Sequence, residues 1–311
     1  MKVTTAVELA VGPGNIAMTR EGWMFVSQHQ FYEPPHPVVQ VRDGKTEPFA
    51  AKAVDSVLGI RADETGLVWM LDNGMRNKTA RKLVSWSPTA NTVERTVDLT
   101  SVSPDDAFLN DLAVDRTHDF VYIADPANGK NAAIIVVDLG TNTAKRVLEG
   151  DASVVAGTID LVIDGKKIDA HVGINPIALD AKDEWLYFGA MHGTKLYRVK
   201  TSELRAGTPV PEFYADRPIT DGISIDTAGN IYLGDLANNA LGMIGTDRTY
   251  RVLARGPELS WIDAFSYAPD GNYYIVVNQL HRSKPLNGTD ATKPPFHIMR
   301  FKPLAPGRVG R

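Results

Sequence analysis

Apolar and polar residues alternate along most of this chain in short runs, broken by Gly, Asn and Asp. That period of two predicts half-buried strands, and the long 3.6-residue pattern of a helix is missing. One phrase recurs six times: "REGWMFVSQ" from 20, "ETGLVWMLD" from 64, "THDFVYIAD" from 117, "KDEWLYFGA" from 182, "AGNIYLGDL" from 228 and "DGNYYIVVN" from 270. Its aligned aromatics are Phe25, Trp69, Tyr122, Tyr187, Tyr232 and Tyr274, separated by 44, 53, 65, 45 and 42 residues. A short apolar strand and a turn precede each copy, as in "DLAVD" (111–115) or "GISID" (222–226). A third strand follows each, and a fourth follows most. Four antiparallel strands per repeat at this period predict an all-β fold, a six-bladed β-propeller.

The two ends predict ring closure. The last repeat supplies a third strand, "FHIMRF" (296–301), and the N-terminal "TTAVELAV" (4–11) is expected to complete that blade as its fourth. Pairing the ends removes exposed sheet edges. "TIDLVIDGKKIDAHV" (158–172) reads as an extra hairpin that accounts for the 65-residue gap. Residues 1–311 are read as one domain.

Composition narrows the partners. Hydrophobic residues make up 43% of the chain, enough for a large core. A formal net charge of −4 argues against nucleic acid or an anionic membrane as the main partner. No apolar run approaches the roughly 18 residues of a membrane span. "MKVTTAVELAVGPG" lacks the apolar centre of a signal peptide, so the chain is expected to be cytoplasmic or the mature form of an exported protein. Cysteine is absent, which removes disulfides, thiolate zinc sites and cysteine nucleophiles.

Propeller geometry sends the residues just before each inner strand to one mouth of a central channel. Those residues are Gly14, Leu58, Asn110, Asn175, Asp221 and Asp263. Asn, Asn, Asp, Asp on four consecutive blades offers hard oxygen ligands suited to calcium or magnesium. Asn and Asp are also ordinary turn residues before a strand. The loops at the same mouth bring His29, His192 and His281, candidates for acid–base work or substrate contact, and the aromatics Phe31, Tyr32 and Trp261. Packing between blades is the competing account of the aromatics. No G-x-S-x-G elbow, P-loop or H-E-x-x-H is present.

"FLNDLAVDRTHDFVYIAD", "GINPIALDAKDEWLYFGAMHGTKLYRV", "TDGISIDTAGNIYLGD" and "NQLHRS" resemble the bacterial branch of the yellow / major royal jelly protein family over nearly the whole chain. That resemblance implies a six-bladed propeller and leaves the reaction open, since insect members include pigment-pathway proteins, nutritional proteins and binders of biogenic amines. More distantly, Asn110-Asp111, Asn175-Pro176 and Asp221-Gly222 resemble the pattern of the gluconolactonase / regucalcin group. By that resemblance Asn175 and Asp221 are metal ligands and Asn110 contacts substrate or metal. The group's first-blade Glu is replaced here by Gly14, with Asn15 next to it. Asp263, a neighbour across the ring, is expected to take its place.

Two functions follow as expectations. In the first, a bound divalent ion, most plausibly calcium, polarises a small lactone or ester. Asn110 then orients it, and Asp221 or Asp263, or alternatively a rim histidine, activates water. In the second, the mouth binds a small aromatic or amine ligand without chemistry, through Asp221 or Asp263 and the aromatics.

Overall fold

The computed structural model describes residues 1–50 and 52–311. Six four-stranded antiparallel sheets form the blades of a propeller. Their inner strands are Pro13–Met18, Val57–Ala62, Asp111–Asp115, Ile174–Leu179, Ile223–Ile225 and Ile262–Tyr267. Each packs on the next, and the last packs on the first. The N-terminal strand Val3–Leu9 pairs with Phe296–Phe301 as the outer strand of blade 6, so both termini build one blade.

The core is divided by the ring. Separate buried clusters fill successive interfaces: Phe25 and Val38 meet Ile60 and Met70 between blades 1 and 2, and Leu71 and Leu83 meet Leu112 and Ile123 between blades 2 and 3. The same arrangement continues to the seam, where Ala264 and Val276 meet Ile16 and Val26. Burying both faces of each sheet explains why these strands are so uniformly apolar.

The recurring phrase has a hydrogen bond behind it. An Asp at the turn after the inner strand accepts from an aromatic on the second strand. Trp69 Nε1 donates to Asp63 at 2.8 Å, the Tyr122 hydroxyl to Asp115 at 3.2 Å, Tyr232 to Asp226 at 3.0 Å and Tyr274 to Asp270 at 2.9 Å. The same carboxylates accept backbone N–H groups of the turn, as Asp63 does from Thr65 and Leu67. Buried turn and strand are locked together by groups that would otherwise be unsatisfied.

The channel is closed at the end away from the expected site. Arg308 and Arg311 of the C-terminal tail both pair with the buried carboxylate of Asp183, and Val309 bridges to Tyr267. At the opposite mouth, the expected hairpin forms from Leu161–Ile163 and Lys166–Ile168. Asp164 and Gly165 at its tip have φ of 51° and 77°, the left-handed pair of a tight two-residue turn.

Close approach of inner strands at this mouth requires glycine. A Cβ on Gly222 would lie 1.9 Å from the Asp263 carbonyl oxygen. Gly222→Ala must therefore push blades 5 and 6 apart. Its expected cost is about 1–3 kcal/mol, measurable as a lower urea midpoint at unchanged slope. A variant as stable as the parent would contradict this packing.

Candidate functional site

Several inner strands shift register at the mouth. The shifts fall at Pro13/Ile16, Val57/Ile60, Ile174/Ile177 and Ile262/Ala264, so Asn15, Asn175 and Asp263 sit at irregular positions that turn side chains into the channel. Loop anchors fix the remainder. The Phe108 N–H donates to Asp125 at 2.8 Å, and Arg146 holds that carboxylate at 2.6 Å, which sets the segment carrying Asn110.

The side chains form a chain of polar contacts. Asn110 Nδ2 donates to Asn175 Oδ1 at 2.7 Å, Asn175 Nδ2 donates to Asp221 Oδ1, and Trp261 Nε1 donates to Asp221 Oδ2 at 2.7 Å. Asp263 Oδ2 accepts from Asn278 Nδ2, which also donates to the Pro13 carbonyl at 3.0 Å. No hydrogen bond among the described residues reaches Asp263 Oδ1. Deeper in the channel, Arg61 donates to Asn15 at 2.7 Å and to Asp111 at 2.8 Å, and Asn15 donates to Asp111 at 3.1 Å.

Charge does not balance here. Three carboxyls, Asp111, Asp221 and Asp263, share the channel, and Arg61 is committed to Asp111. Burial pushes the Asp221 carboxyl up to about 7, against the pull of the Trp261 N–H, with the nearby Asp111 adding to the rise. Burial, then the proximity of Asp221, raises Asp263 well above the usual carboxylate range. Asp221 takes up a proton near neutrality, and Asp263 keeps one to higher pH than an ordinary carboxyl, unless another cation arrives.

Above this floor lies a cavity of about 230 Å³. Asn110, Asn175, Asp221, Asp263, Trp261 and His29 line it, six of the residues expected from the sequence. His192 and His281 do not line it; their neighbours Met191 and Leu280 do. Both histidines are buried in the covering layer, 1% and 6% exposed. His192 Nδ1 accepts the Val172 N–H at 3.0 Å, while His281 stacks on Trp261 at 5.9 Å with no hydrogen bond to its ring among the described residues. Burial lowers both to about 4 and His29 to about 3, so all three are neutral at pH 7. His29 Nδ1 accepts the Phe31 N–H at 3.1 Å.

The sequence reading missed the Asn15–Arg61–Asp111 triad and the role of Asn278. A charged residue inside the apolar strand "LGIRAD" was the available signal. A larger cavity of about 320 Å³ lies toward the closed end, where Arg116, Arg308 and Arg311 meet Asp63, Glu64 and Asp183. Its charges are internally paired, which leaves it without the unmet demand of the mouth.

The oxygen donors of the mouth suit a hard divalent ion in kind. Asp221 and Asp263 lack a matching positive charge, and Asn110 and Asn175 place amide groups beside them. A half rotation of the Asn175 amide would offer its oxygen in place of its N–H. Gly14 contributes no carboxylate, and Asn15 is turned to Arg61 and Asp111. Among the described residues no three His, Cys, Asp or Glu side chains gather as a ligand group.

A family model described as "Major royal jelly protein" matches residues 55–283. No curated protein matches the chain. Solved structures share its fold. A gluconolactonase from Xanthomonas campestris superposes with a TM-score of 0.64 at 13% identity, covering 97% of this chain and 89% of that one. A luciferin-regenerating enzyme gives 0.67 at 11% identity, with 99% and 98% covered. A calcium-binding protein, regucalcin, from Agrobacterium tumefaciens gives 0.61 at 14% identity, with 97% and 94% covered. At such identities the likeness establishes architecture alone.

The raised acid range of Asp221 has a signed consequence. Its folded value, about 7, exceeds the unfolded value of about 4, so between those pH values the folded state binds more protons. Its contribution to stability is therefore lost as pH rises from about 4 to about 7. The buried histidines work oppositely, since below about 6.5 they take up protons in the unfolded state and stay neutral in the folded one. The difference between Asp221→Asn and the parent removes the histidine contribution and reports Asp221 together with the part of the Asp263 shift that Asp221 causes, which has the same sign. The variant should gain in relative stability from pH 4 to pH 8 in denaturant titrations, and a flat difference would remove the claimed shift.

Proposed function

The chain belongs to the major royal jelly protein family, and on that premise we propose that its channel mouth hydrolyses a small lactone or related ester with the help of a divalent cation, calcium being the best fit. The observation that carries this reading is the carboxyl pair on the cavity floor, with Asp263 Oδ1 unengaged. The fold shared with a gluconolactonase and a calcium-binding regucalcin supports it.

Asn175 and Asp221 would hold the cation. When bound, the ion would draw electron density from the substrate carbonyl. Once Asn175 turns its oxygen to the cation, the Asn110 amide that now donates to it is released to donate to the carbonyl oxygen. Asp263 is the general base, because Asp221 would be committed to the cation and to the Trp261 N–H. Its free oxygen takes the proton of the attacking water. The carbonyl carbon gains the water oxygen, the ring C–O bond breaks, and the departing alkoxide recovers the proton from Asp263. The product is a hydroxy acid. Trp261 keeps Asp221 oriented, and its bulk excludes water from that carboxyl.

A second reading is favoured by Phe31, Phe108 and Trp261, which bring aromatic surface to the same carboxyls. A small amine could pair with Asp221 or Asp263 while its ring packs on them, with no reaction. The two readings separate in one experiment. Calcium should raise the melting temperature of the parent and not of Asp221→Ala, and the loaded protein should hydrolyse lactones. Asp263→Asn should lower kcat by about 10²- to 10⁴-fold. Stabilisation by amines alone, with no turnover of any lactone, would favour the binder and end the hydrolase reading.

A further inference from the structure

Resting on the hydrolase reading, we infer that the substrate carries an alkyl or aryl group, and is not a polyhydroxylated sugar lactone. The cavity has a sharp division of chemistry. Its floor is Asn110, Asn175, Asp221 and Asp263. Its walls are apolar, built by Phe31, Phe108, Val172, Met191, Leu280 and Leu286. These come from separate segments: the first loop, the blade 3 entry, the inserted hairpin's return, blade 4 and the last loop. Among the described residues no Ser, Thr, Gln, Lys or Arg lines the space.

The remaining polar groups replace them at one point only. Among the described residues His29 is the one polar wall residue; its Nδ1 is taken by the Phe31 N–H, which leaves its Nε2–H as the single donor on the walls. His192 and His281 stand behind Met191 and Leu280, as described above. On the floor, Asn110, Asn175, Asp221 and Trp261 are bonded to one another, leaving groups for one carbonyl and one water. A ring hydroxyl directed at such walls loses its water and gains no partner, which weakens binding roughly tenfold or more for each. Each methylene placed there is favoured by about fourfold.

The covering layer is itself built to stay apolar. Leu161, Ile163 and Ile168 of the hairpin pack with Met191, Leu236, Trp261 and Leu280. Polar ties sit on its outer surface, where Arg282 pairs with Asp164 at 3.2 Å and Lys166 donates to the Asn287 carbonyl at 3.2 Å. The insertion and the last loop thus meet over the mouth and present hydrocarbon inward.

The test has two readouts. Turnover is measured by pH-stat for glucono-δ-lactone, δ-valerolactone, δ-hexalactone and δ-octalactone. Binding is measured by thermal stabilisation with gluconolactam and with alkyl-substituted valerolactam, which do not hydrolyse. The expected result is a rise in kcat/KM of about fourfold per methylene, with glucono-δ-lactone poorest, and stabilisation by the alkyl lactam alone. Leu286→Gln should raise KM for δ-octalactone several-fold with little change in kcat. Preference for the sugar lactone and lactam would overturn the inference and leave the hydrolase reading standing. Stabilisation by alkyl lactam without turnover of any lactone would support the apolar preference and sink the hydrolase. Stabilisation by neither lactam would overturn the inference.

Discussion

Pairing of the chain's two ends is the constraint on which the site depends. Val3–Leu9 completes the sheet of Phe296–Phe301, and this brings the inner strands of blades 6 and 1 side by side. The seam is bridged at the mouth itself. One Asn278 amide donates both to Asp263 on blade 6 and to the Pro13 carbonyl on blade 1. Tyr32 of the first loop crosses the same seam, its hydroxyl donating to the Asn278 carbonyl at 2.6 Å. An open ring would leave Asn278, the partner of Asp263, without its contacts to Pro13 and Tyr32, and would split the wall between Phe31 and Leu280. Stability and site geometry therefore share one set of hydrogen bonds, made between residues more than two hundred positions apart.

Closure also concentrates charge. Six inner strands around one axis force their first side chains into a small volume, and this chain places three carboxyls and one guanidinium there. The Arg61–Asp111 pair is buried and fully bonded, with Asn15 satisfying both partners. A buried pair of that kind is tolerated when its hydrogen bonds are complete. Asp221 and Asp263 are treated differently. Each receives N–H donors, which orient a carboxyl, but among the described residues neither receives a cation of its own. The protein has left one part of its channel electrostatically unfinished, beneath a cavity open to small molecules. That asymmetry is the physical ground for placing function at this mouth and not at the arginine-lined end, where Asp183 already carries two guanidinium partners.

The blade repeat was legible in the sequence because the bond that enforces it is local. Asp226 and Tyr232 are six residues apart, so the pair marks each copy in plain view. Asn110, Asn175, Asp221 and Asp263 were legible as converging positions for a related reason, since each stands at the entry to an inner strand. What escaped notice depends on contacts between distant segments. Asn15 and Asp111 meet across 96 residues, and Arg61 looked like one polar residue among apolar ones. The orientation of His192 and His281 is set by the inserted hairpin, whose Val172 N–H takes His192 Nδ1 and whose Asp164 stands 3.9 Å from His281. Alignment of loops placed all three histidines at one rim. Packing against the insertion then put two of them behind the wall.

Trp261 shows how local strain serves the carboxyl cluster. Its φ is 64°, a left-handed conformation rarely adopted by a bulky side chain and costing about 1–3 kcal/mol. An extended residue here would point its ring along the same side of the strand as Asp263, two positions on. The left-handed turn, with the register shift at Ile262/Ala264, separates the two directions. Asp263 faces the channel while the indole lies flat against His281 and delivers its N–H to Asp221. Backbone bonds from Asn278 N to the Trp261 carbonyl and from Gln279 N to Ser260 hold the turn in place. His281, whose ring has no hydrogen bond among the described residues, acts as the flat surface against which the indole rests. The strain is thus confined to one residue, and what it secures is a fully engaged carboxyl beside one that keeps a free oxygen.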